Sequence, residues 1–306
     1  MFNKLDILNP FRVNGPESFD ADIYRKYLQK YIKDTDYPKV SYQVVILAAG
    51  KGTRMSLDYP KVLYELDYPG GKSTILENTI KMINCLRDSI EISQVHLVID
   101  ERSRGYFKNQ DFLNLINIIG LNDNEIQGTA ICINAIQKIL DVNKDIIFIW
   151  GDLALGRISD IDLAIKCQAL TNSTITFPTR LISNPYVAFL RNLEGKFIEV
   201  VHSNETERWT GVAEQDCLSF VCKYDSLSRL DDFINEFLSI QKPHQIEVDF
   251  IHFLPYLASK GLDIIGIPVV QPGLLYGLNT YARAIQINKV LENYSVIDYE
   301  EYFVEC

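Results

Sequence analysis

The sequence predicts an α/β fold with a mixed, mostly parallel β-sheet that is covered by helices on both faces. Short apolar runs alternate with stretches of helical periodicity from Tyr42 onward, and after Pro178 this alternation gives way to closely spaced strands. A strand that is buried on both faces is a nearly continuous apolar run, and a helix connects it to its parallel neighbour. The first part of the chain therefore consists of successive strand–helix–strand units.

Residues 42–178 supply most of these units. Their predicted strands are YQVVILA, QVHLVID, DIIFIW and STITFP, and their predicted helices are STILENTIKMINCL, TAICINAIQKIL and SDIDLAIKCQAL. The strands are short apolar runs, whereas the helices repeat their apolar residues every three or four positions. We therefore expect this half of the chain to form the parallel part of the sheet.

The regions before and after residues 42–178 have different sequence patterns. Residues 1–41 contain Asn-Pro and Asn-Gly-Pro breaks before DADIYRKYLQKYIKD, which predicts a partly helical N-terminal extension. Residues 179–306 begin with YVAFLRN and KFIEVV, a predicted β-hairpin, and continue with the strand CLSFVCKY and two helices. The strand DIIGIPVV and the helix NTYARAIQINKVLENY close the same domain. We expect this second half to add a wall to a pocket at the sheet edge.

Composition narrows the class of protein. The chain has 306 residues, of which 47% are hydrophobic, and its net charge is −10. An acidic chain is a poor general binder of nucleic acid or of membrane surfaces, and no apolar run reaches the 18 residues of a membrane span. The six cysteines are scattered without a CxxC pair, and the N-terminus has no signal-peptide pattern. We therefore expect reduced thiols and a cytoplasmic protein.

The segment LAAGKGTRMSLDYPKVL, residues 47–63, is the strongest functional signal. It leaves the first strand at its carboxyl end, which is where open α/β sheets bind ligands. Gly50 and Gly52 permit backbone conformations that other residues avoid, so several N–H groups of this loop can point into one concavity. Such a concavity suits phosphate oxygens.

Three cations accompany this loop. Arg54 offers a fork of donors, whereas Lys51 and Lys61 are point charges, and Pro60 stiffens the chain just before Lys61. A turn with solvated surface charges would explain any one of these residues. The complete ordered set directly after a strand favours a site for a polyphosphate.

A second glycine-rich segment, YPGGKSTIL at residues 68–76, ends like a phosphate-binding Walker A loop. That motif requires a glycine five residues before Gly71, and position 66 is Leu. The sequence instead predicts a glycine turn in which Ser73 or Thr74 caps the next helix. A dinucleotide-dependent oxidoreductase is also disfavoured, because no GxGxxG follows the first strand.

LAAGKGTRM followed by DYPKVLYEL resembles the signature of the sugar-1-phosphate nucleotidyltransferases, and is most similar to the uridylyltransferase domain that makes UDP-N-acetylglucosamine. The resemblance covers roughly residues 43–290. It implies a Rossmann-like nucleotidyltransferase fold with a β-hairpin and helical acceptor subdomain, and attack of an acceptor phosphate on the α-phosphate of a nucleoside triphosphate. Residues 42–178 would be the nucleotide-binding half and residues 179–306 the acceptor-binding half. The resemblance implies catalytic roles for Arg54 and Lys61 and nucleotide binding by the remaining residues of the loop: Leu47, Ala48, Ala49, Gly50, Lys51, Gly52 and Thr53.

Three further segments resemble the family pattern. EIQGTAICINAI resembles the segment that contacts base and ribose, which assigns nucleotide binding to Gly128 and Thr129. FIWGDLAL and YGLNTYARAIQIN resemble the motifs that hold Mg²⁺, which makes Asp152 and Asn279 the metal ligands. Oxygen ligands of this kind suit Mg²⁺, although a turn aspartate and a helix-capping asparagine would explain each residue alone.

The acceptor side departs from the family pattern. His202 occupies the place of a glutamate and Asn204 that of a lysine, and Asp216-Cys217-Leu218 replaces a sugar-contacting Asn-Thr-Gly. Glu247 keeps the place of a sugar-contacting glutamate, whereas His252 replaces an aspartate. Glu247 and His202 are therefore the candidate acceptor-binding residues, and His202 as a surface residue of the hairpin remains the alternative.

The resemblance predicts an Mg²⁺-dependent nucleotidyltransferase that couples an NTP, with UTP or CTP favoured, to a phosphorylated acceptor such as a sugar 1-phosphate. The products would be a nucleotide-activated compound, as in nucleotide-sugar biosynthesis, and pyrophosphate. Two alternatives stay open: a cytidylyltransferase for a phosphorylated non-sugar alcohol, and a nucleotide-binding regulator without turnover. Neither nucleic acid nor a membrane is an expected partner.

Overall fold

A computed structural model of the protein describes residues 7, 9–11, 16, 19–33, 40–50, 52–108, 110–203, 209–240, 247–270 and 277–295. The predicted α/β architecture is confirmed: one mixed sheet of ten strands is flanked by helices, and a two-stranded ribbon lies beside it. The strands are β1 Ser41–Leu47, β2 Glu65–Tyr68, β3 Gly71–Thr74, β4 Glu91–Asp100, β5 Asn117–Leu121, β6 Asp145–Trp150, β7 Ile175–Ser183, β8 Val187–Arg191, β9 Phe197–His202, β10 Val212–Asp216, β11 Ser219–Cys222 and β12 Ile264–Val270.

The large sheet combines a parallel and an antiparallel region. Its strand order is β5-β4-β1-β6-β11-β7-β10-β8-β9, and β12 pairs with β7. Strands β5, β4, β1 and β6 are parallel to one another, as β12 is to β7, whereas β11, β10 and the β8–β9 hairpin pair antiparallel with their neighbours. The parallel pairing therefore dominates the first half of the chain, and the antiparallel pairing the second.

Helices cover both faces of this sheet. They are α1 Ala21–Lys33, α2 Ile75–Leu86, α3 Thr129–Ile136, α4 Ile158–Thr171, α5 Leu230–Ile240, α6 Phe253–Ser259 and α7 Tyr281–Leu291, with short 3-10 turns between them. Two buried clusters lie on opposite faces: Val44 and Ile46 of β1 belong to one, and Val45 to the other. This is the period-two alternation of a strand that is buried on both sides. No helix within the described ranges is long and apolar enough to cross a membrane.

The predicted N-terminal helix packs onto the domain through a buried ion pair. Arg25 of α1 bonds to the carboxylate of Asp160 on α4, and its guanidinium also donates to the Ser159 hydroxyl at 2.6 Å. Leu28 and Ile32 of α1 belong to the same buried cluster as the helices next to them. Burying a charge is costly unless it is paired and hydrogen-bonded, which these contacts provide.

The segment that ends like a Walker A loop forms the β2–β3 ribbon. Gly71 pairs with Tyr68 across the turn, and Lys72 and Ser73 lie within strand β3. The hydroxyl of Thr74 accepts a hydrogen bond from the Glu77 amide and caps α2. The predicted turn and cap are therefore confirmed, and this segment is no phosphate loop.

A second buried ion pair links the β8–β9 hairpin to other strands of the sheet. Arg191 of β8 forks onto the carboxylate of Glu214 on β10, and it also donates to the backbone oxygen of Gly266 on β12 at 2.9 Å. The Thr179 hydroxyl on β7 donates to the same carboxylate at 2.7 Å. Four strands thus share one network of hydrogen bonds, which fixes the position of the predicted hairpin in the sheet.

Candidate functional site

The site forms where β1 and β6 end side by side. Leu47 is the register partner of Trp150, and the Gly151 amide donates to the Leu47 carbonyl at 2.8 Å. A Cβ on Gly151 would lie 2.8 Å from both that oxygen and a methyl group of Val62. Glycine at this position therefore lets the chain after β6 lie directly against the loop after β1.

The loop after β1 changes from buried to exposed within a few residues. Ala48 and Ala49 are buried, and the Ala48 amide donates to the Val98 carbonyl at 2.7 Å. Gly50 is exposed, with open space where a side chain would begin. Gly52 has φ +60°, a left-handed conformation that favours glycine. Lys51 and the side chain of Thr53 lie outside the described part of the chain.

Arg54 and Lys61 occupy two short 3-10 turns that follow this loop. Arg54 is exposed in the turn Thr53–Met55, and Lys61 opens the turn Lys61–Leu63 directly after the extended Pro60. A Cβ on Gly52 would lie 3.5 Å from the Cβ of Lys61, so the loop passes beside this lysine. The cation that the sequence places after a rigid proline is thus held at the loop.

Asn279 reaches the same place through a backbone bridge between distant parts of the chain. Leu153 and Gly277 pair antiparallel, and the Leu278 amide donates to the Asp152 carbonyl at 3.0 Å. The Thr280 hydroxyl accepts from the Arg283 amide at the start of α7. Thr280, not Asn279, therefore caps this helix, which leaves the Asn279 amide oxygen to face Lys61.

Lys61, Asp152 and Asn279 meet in one polar cluster. The Lys61 ammonium donates to Asp152 Oδ2 at 2.9 Å and to Asn279 Oδ1 at 3.1 Å. The Lys61 and Asp152 side chains are 16% and 15% exposed, so the pair is mostly screened from solvent but reachable from it. Two oxygens converge on one cation, which is the arrangement that a hard divalent ion also requires.

The donor set fits magnesium better than zinc or iron. Mg²⁺ binds oxygen, keeps several waters and uses one or two protein ligands together with substrate phosphates. Asp152 and Asn279 supply one carboxylate and one amide oxygen. Across the described residues no group of three or more His, Cys, Asp or Glu side chains is arranged to hold a metal.

Gly128 and Thr129 lie at the start of α3 and contact the segment that begins at Glu247. The Thr129 hydroxyl and amide both donate to the Asp249 carboxylate, at 3.2 and 3.3 Å. Gly128 has φ +109°, and a Cβ there would lie 2.4 Å from the backbone of Val248. Both residues therefore have structural reasons for their identity, and their contact with a nucleotide remains a prediction.

The candidate acceptor residues lie on separate elements. Glu247 is exposed and begins the segment that contacts Gly128. His202 ends β9, and four strands separate β9 from β6 in the sheet order. Its ring packs edge-on against Tyr186, with centroids 4.8 Å apart, so it stands apart from the cluster around Lys61.

Asp216 places a buried carboxyl near this cluster. It accepts a hydrogen bond from the Leu218 amide at 3.1 Å, and Leu218 has φ +61° where the family pattern has glycine. Burial raises the pKa of Asp216 to about 6, with a smaller contribution from the negative charge of Asp152, while the Leu218 amide and Arg180 oppose the shift. A carboxyl in this environment gains and loses its proton near pH 6.

Sequence reasoning did not single out Asp249 or Gly151. Asp249 lies in an ordinary helix-like pattern, and its partner Thr129 is 120 residues away. Gly151 was visible only as part of the Gly-Asp pair, although the close packing of two strand ends gives it a role of its own. A glycine directly after a buried strand is the signal that could have indicated such packing.

Comparison with known proteins identifies relatives. No family model matches the chain. The bifunctional protein GlmU of Buchnera aphidicola subsp. Acyrthosiphon pisum is 31% identical over 275 residues, which cover 85% of this chain and 55% of that protein. The chain thus spans about half the length of the curated relatives it matches.

Solved structures agree on the fold. The inositol-1-phosphate CTP transferase of T. maritima has a TM-score of 0.59 at 14% identity, covering 85% of this chain and 100% of its own. HddC of Yersinia pseudotuberculosis has a TM-score of 0.54 at 16% identity, covering 81% of this chain and 99% of its own. The Rossmann-like nucleotidyltransferase fold expected from the sequence is therefore confirmed. Because the GlmU match extends through both halves of this fold, the chain belongs to the sugar-1-phosphate nucleotidyltransferase family.

Proposed function

We propose that the chain is a nucleotidyltransferase that couples a nucleoside triphosphate to a sugar 1-phosphate and releases pyrophosphate. The observation that carries this proposal is the cluster of Lys61, Asp152 and Asn279 beside the loop after β1. A cation, two metal-type oxygens and a glycine-rich loop at one sheet edge are the elements that a phosphoryl-type transfer needs.

The loop would bind the triphosphate. Its exposed glycine has open space beside it, and the loop is flanked by the exposed guanidinium of Arg54. Backbone N–H groups of residues 49–54 together with Arg54 would hold the β- and γ-phosphates, which leave as pyrophosphate. The residues assigned to nucleotide binding are Leu47, Ala48, Ala49, Gly50, Lys51, Gly52, Thr53, Gly128 and Thr129.

Lys61 would neutralise the charge that builds up between the acceptor phosphate and the α-phosphate. In the structure its ammonium bonds to Asp152 and Asn279, which keeps the lysine beside the proposed reaction centre. When these oxygens bind the ion, the ammonium would turn to the reacting phosphates, where its charge stabilises the transition state. The acceptor phosphate is already an anion, so no side chain needs to act as a general base.

Mg²⁺ would be held by Asp152 and Asn279. When bound, it would supply charge neutralisation to the reacting phosphates. The carboxylate and amide oxygens fit this ion in type and number, and both lie within 3.1 Å of a common point, the Lys61 nitrogen.

The acceptor site would lie on the second half of the chain, with Glu247 and His202 as its candidate residues. Its departures from the family pattern, above all the buried Asp216, favour an acceptor other than N-acetylglucosamine 1-phosphate. A site built around hydrogen bonds rejects substrates that lack the matching groups. We favour UTP or CTP as the nucleotide, and a phosphorylated non-sugar alcohol is the second candidate acceptor.

The test is to incubate the protein with each of four NTPs, Mg²⁺ and a library of phosphorylated metabolites, and to identify products by mass spectrometry. We expect one nucleotide-activated product that depends on the acceptor, and none with Asp152→Asn. Tight NTP binding without any product would instead identify a nucleotide-binding regulator. Product formation that survives Asp152→Asn unchanged would contradict the proposed site.

A further inference from the structure

The Thr129 hydroxyl and backbone amide are both hydrogen-bonded to a segment that lies about 120 residues further along the chain. Its hydroxyl and its amide both donate to Asp249 Oδ1, at 3.2 and 3.3 Å, and the hydroxyl oxygen accepts from the Phe250 amide at 2.8 Å. A threonine has two donors, the hydroxyl and the backbone N–H. Asp249 takes both, so Thr129 has no donor left to offer to a nucleotide.

Backbone contacts extend this connection on both sides. The Val248 amide donates to the Gln127 carbonyl at 3.0 Å, and the Ala130 amide donates to the Val248 carbonyl at 2.9 Å. Gly128 lies between these bonds, and only a residue without a Cβ fits against Val248 there. The start of α3 and residues 248–250 therefore form one hydrogen-bonded unit.

The same unit packs against β6, the strand that ends two residues before Asp152. Phe250 is fully buried, and its ring packs against Phe148 and Trp150 of β6, with centroids 5.6 and 5.9 Å apart. Trp150 is two residues before Asp152. A shift of residues 248–250 would thus change both the start of α3 and the packing of β6, the strand that leads to the proposed metal ligand.

We propose that Asp249 is a positioning residue for nucleotide recognition, which holds Thr129 and the Gly128 backbone in place. This inference rests on the proposed function, and it changes the role of Thr129 from direct contact to support. Glu247, the candidate acceptor residue, directly precedes this unit, so the two halves of the site share one rigid connection. The part of the NTP that this segment would contact is the base or the ribose.

Removal of this connection should weaken NTP binding more than turnover. A hydrogen bond to a charged group is worth about a tenfold change in an equilibrium constant or more. We therefore expect Asp249→Ala and Thr129→Val each to raise the NTP Kd and KM about tenfold, to leave kcat within about threefold, and to reduce discrimination among the four NTPs. Thr129→Ser retains both donors and should bind like the wild type.

The test measures NTP binding by titration calorimetry and steady-state kinetics for these variants and for Asp249→Ala/Thr129→Val. Both single changes break the bond between the Thr129 hydroxyl and Asp249, and each breaks one further bond, that of the Phe250 amide in Thr129→Val and that of the Thr129 amide in Asp249→Ala. We therefore expect the double variant to lose clearly less affinity than the sum of the two single losses. Asp249→Asn keeps an acceptor oxygen without the charge and should lie between wild type and Asp249→Ala. Thr79→Val removes a buried hydroxyl that bonds only within α2, and it serves as the control for a loss of stability.

Two results would overturn the proposal while the proposed function stands. One is wild-type NTP binding that Asp249→Ala and Asp249→Asn leave unchanged. The other is a loss with Thr129→Val that is fully additive to that of Asp249→Ala, because full additivity means that Thr129 does not act through Asp249. A wild-type protein that binds none of the four NTPs would overturn the proposed function, and this inference with it.

Discussion

Lys61 occupies the place that a divalent ion would need. We therefore predict that a substitution that removes its charge strengthens metal binding and at the same time lowers turnover. Its nitrogen lies 2.9 and 3.1 Å from the two oxygens that would bind Mg²⁺. Mg²⁺ binds oxygen at about 2.0–2.1 Å, so an ion that used both oxygens would lie within a few ångströms of the ammonium. Unit charges 4 Å apart repel by about 4 kcal/mol in a partly buried site, and a dication repels more. Lys61 must therefore move when the ion binds.

The magnitude follows from the contacts that Lys61 has to break. A hydrogen bond between charged groups contributes about 1.5–3 kcal/mol, and 1.4 kcal/mol corresponds to a tenfold change in an equilibrium constant. Lys61→Met keeps most of the aliphatic stem but removes the charge. We expect it to strengthen the binding of Mn²⁺, a spectroscopic substitute for Mg²⁺, at least about tenfold in the absence of nucleotide. Turnover should fall in the same variant.

The assay is electron paramagnetic resonance of free Mn²⁺ in a titration of protein without nucleotide. Lys166→Met is the matched control, because Lys166 pairs with Asp162 at 2.6 Å with similar exposure, and both residues of this pair lie within α4. We expect that control to bind Mn²⁺ like the wild type, and Asp152→Asn to lose binding. Equal or weaker binding by Lys61→Met would refute the reasoning that the ammonium and the ion compete for the same oxygens.

Three further changes have defined outcomes. Burial raises the pKa of Asp216 from 3.8 to about 6, so unfolding at a pH between these two pKa values releases a proton. The free energy of unfolding of the wild type should therefore fall by roughly 3 kcal/mol as the pH rises from about 4 to 6, and Asp216→Asn should lack this loss. The measurement is urea unfolding at pH 4 and pH 7 without divalent ions. Arg25→Met leaves Asp160 buried without this partner and should cost about 3 kcal/mol in urea unfolding; adding Asp160→Asn should restore part of that loss. Gly151→Ala puts a Cβ 2.8 Å from the Leu47 oxygen, so Mn²⁺ and NTP binding should weaken at least about tenfold by calorimetry while α-helical circular dichroism is retained.

The elements of the sheet were predictable because their signals are local. The run YQVVILA gave β1, the run DIIFIW gave β6, and DADIYRKYLQKYIKD gave α1. Apolar periodicity over six to fifteen residues determines such elements largely by itself. The expected mostly parallel character holds for the first half, while the antiparallel pairing of β10 and β11 with β7 depends on contacts between distant strands.

The cluster of Lys61, Asp152 and Asn279 was predicted as a list of residues, not as an ion-paired group. Asn279 lies 218 residues from Lys61. The Leu153–Gly277 bridge brings it close, and such a long-range bridge cannot be recognised from the local spacing of apolar residues. The same applies to Asp249, whose partner Thr129 is set by tertiary packing. Motifs indicate which residue types a site uses, whereas the fold decides which donors and acceptors remain for the ligand.

The most direct test of the account is pyrophosphate release from NTP and a phosphorylated acceptor by wild type, Lys61→Ala and the control Lys166→Ala. We predict that wild type and the control release pyrophosphate at similar rates, and that Lys61→Ala is slower by about 10²–10³. Near-normal release by Lys61→Ala would contradict the central claim that this lysine, which meets Asp152 and Asn279 at the sheet edge, stabilises the transfer.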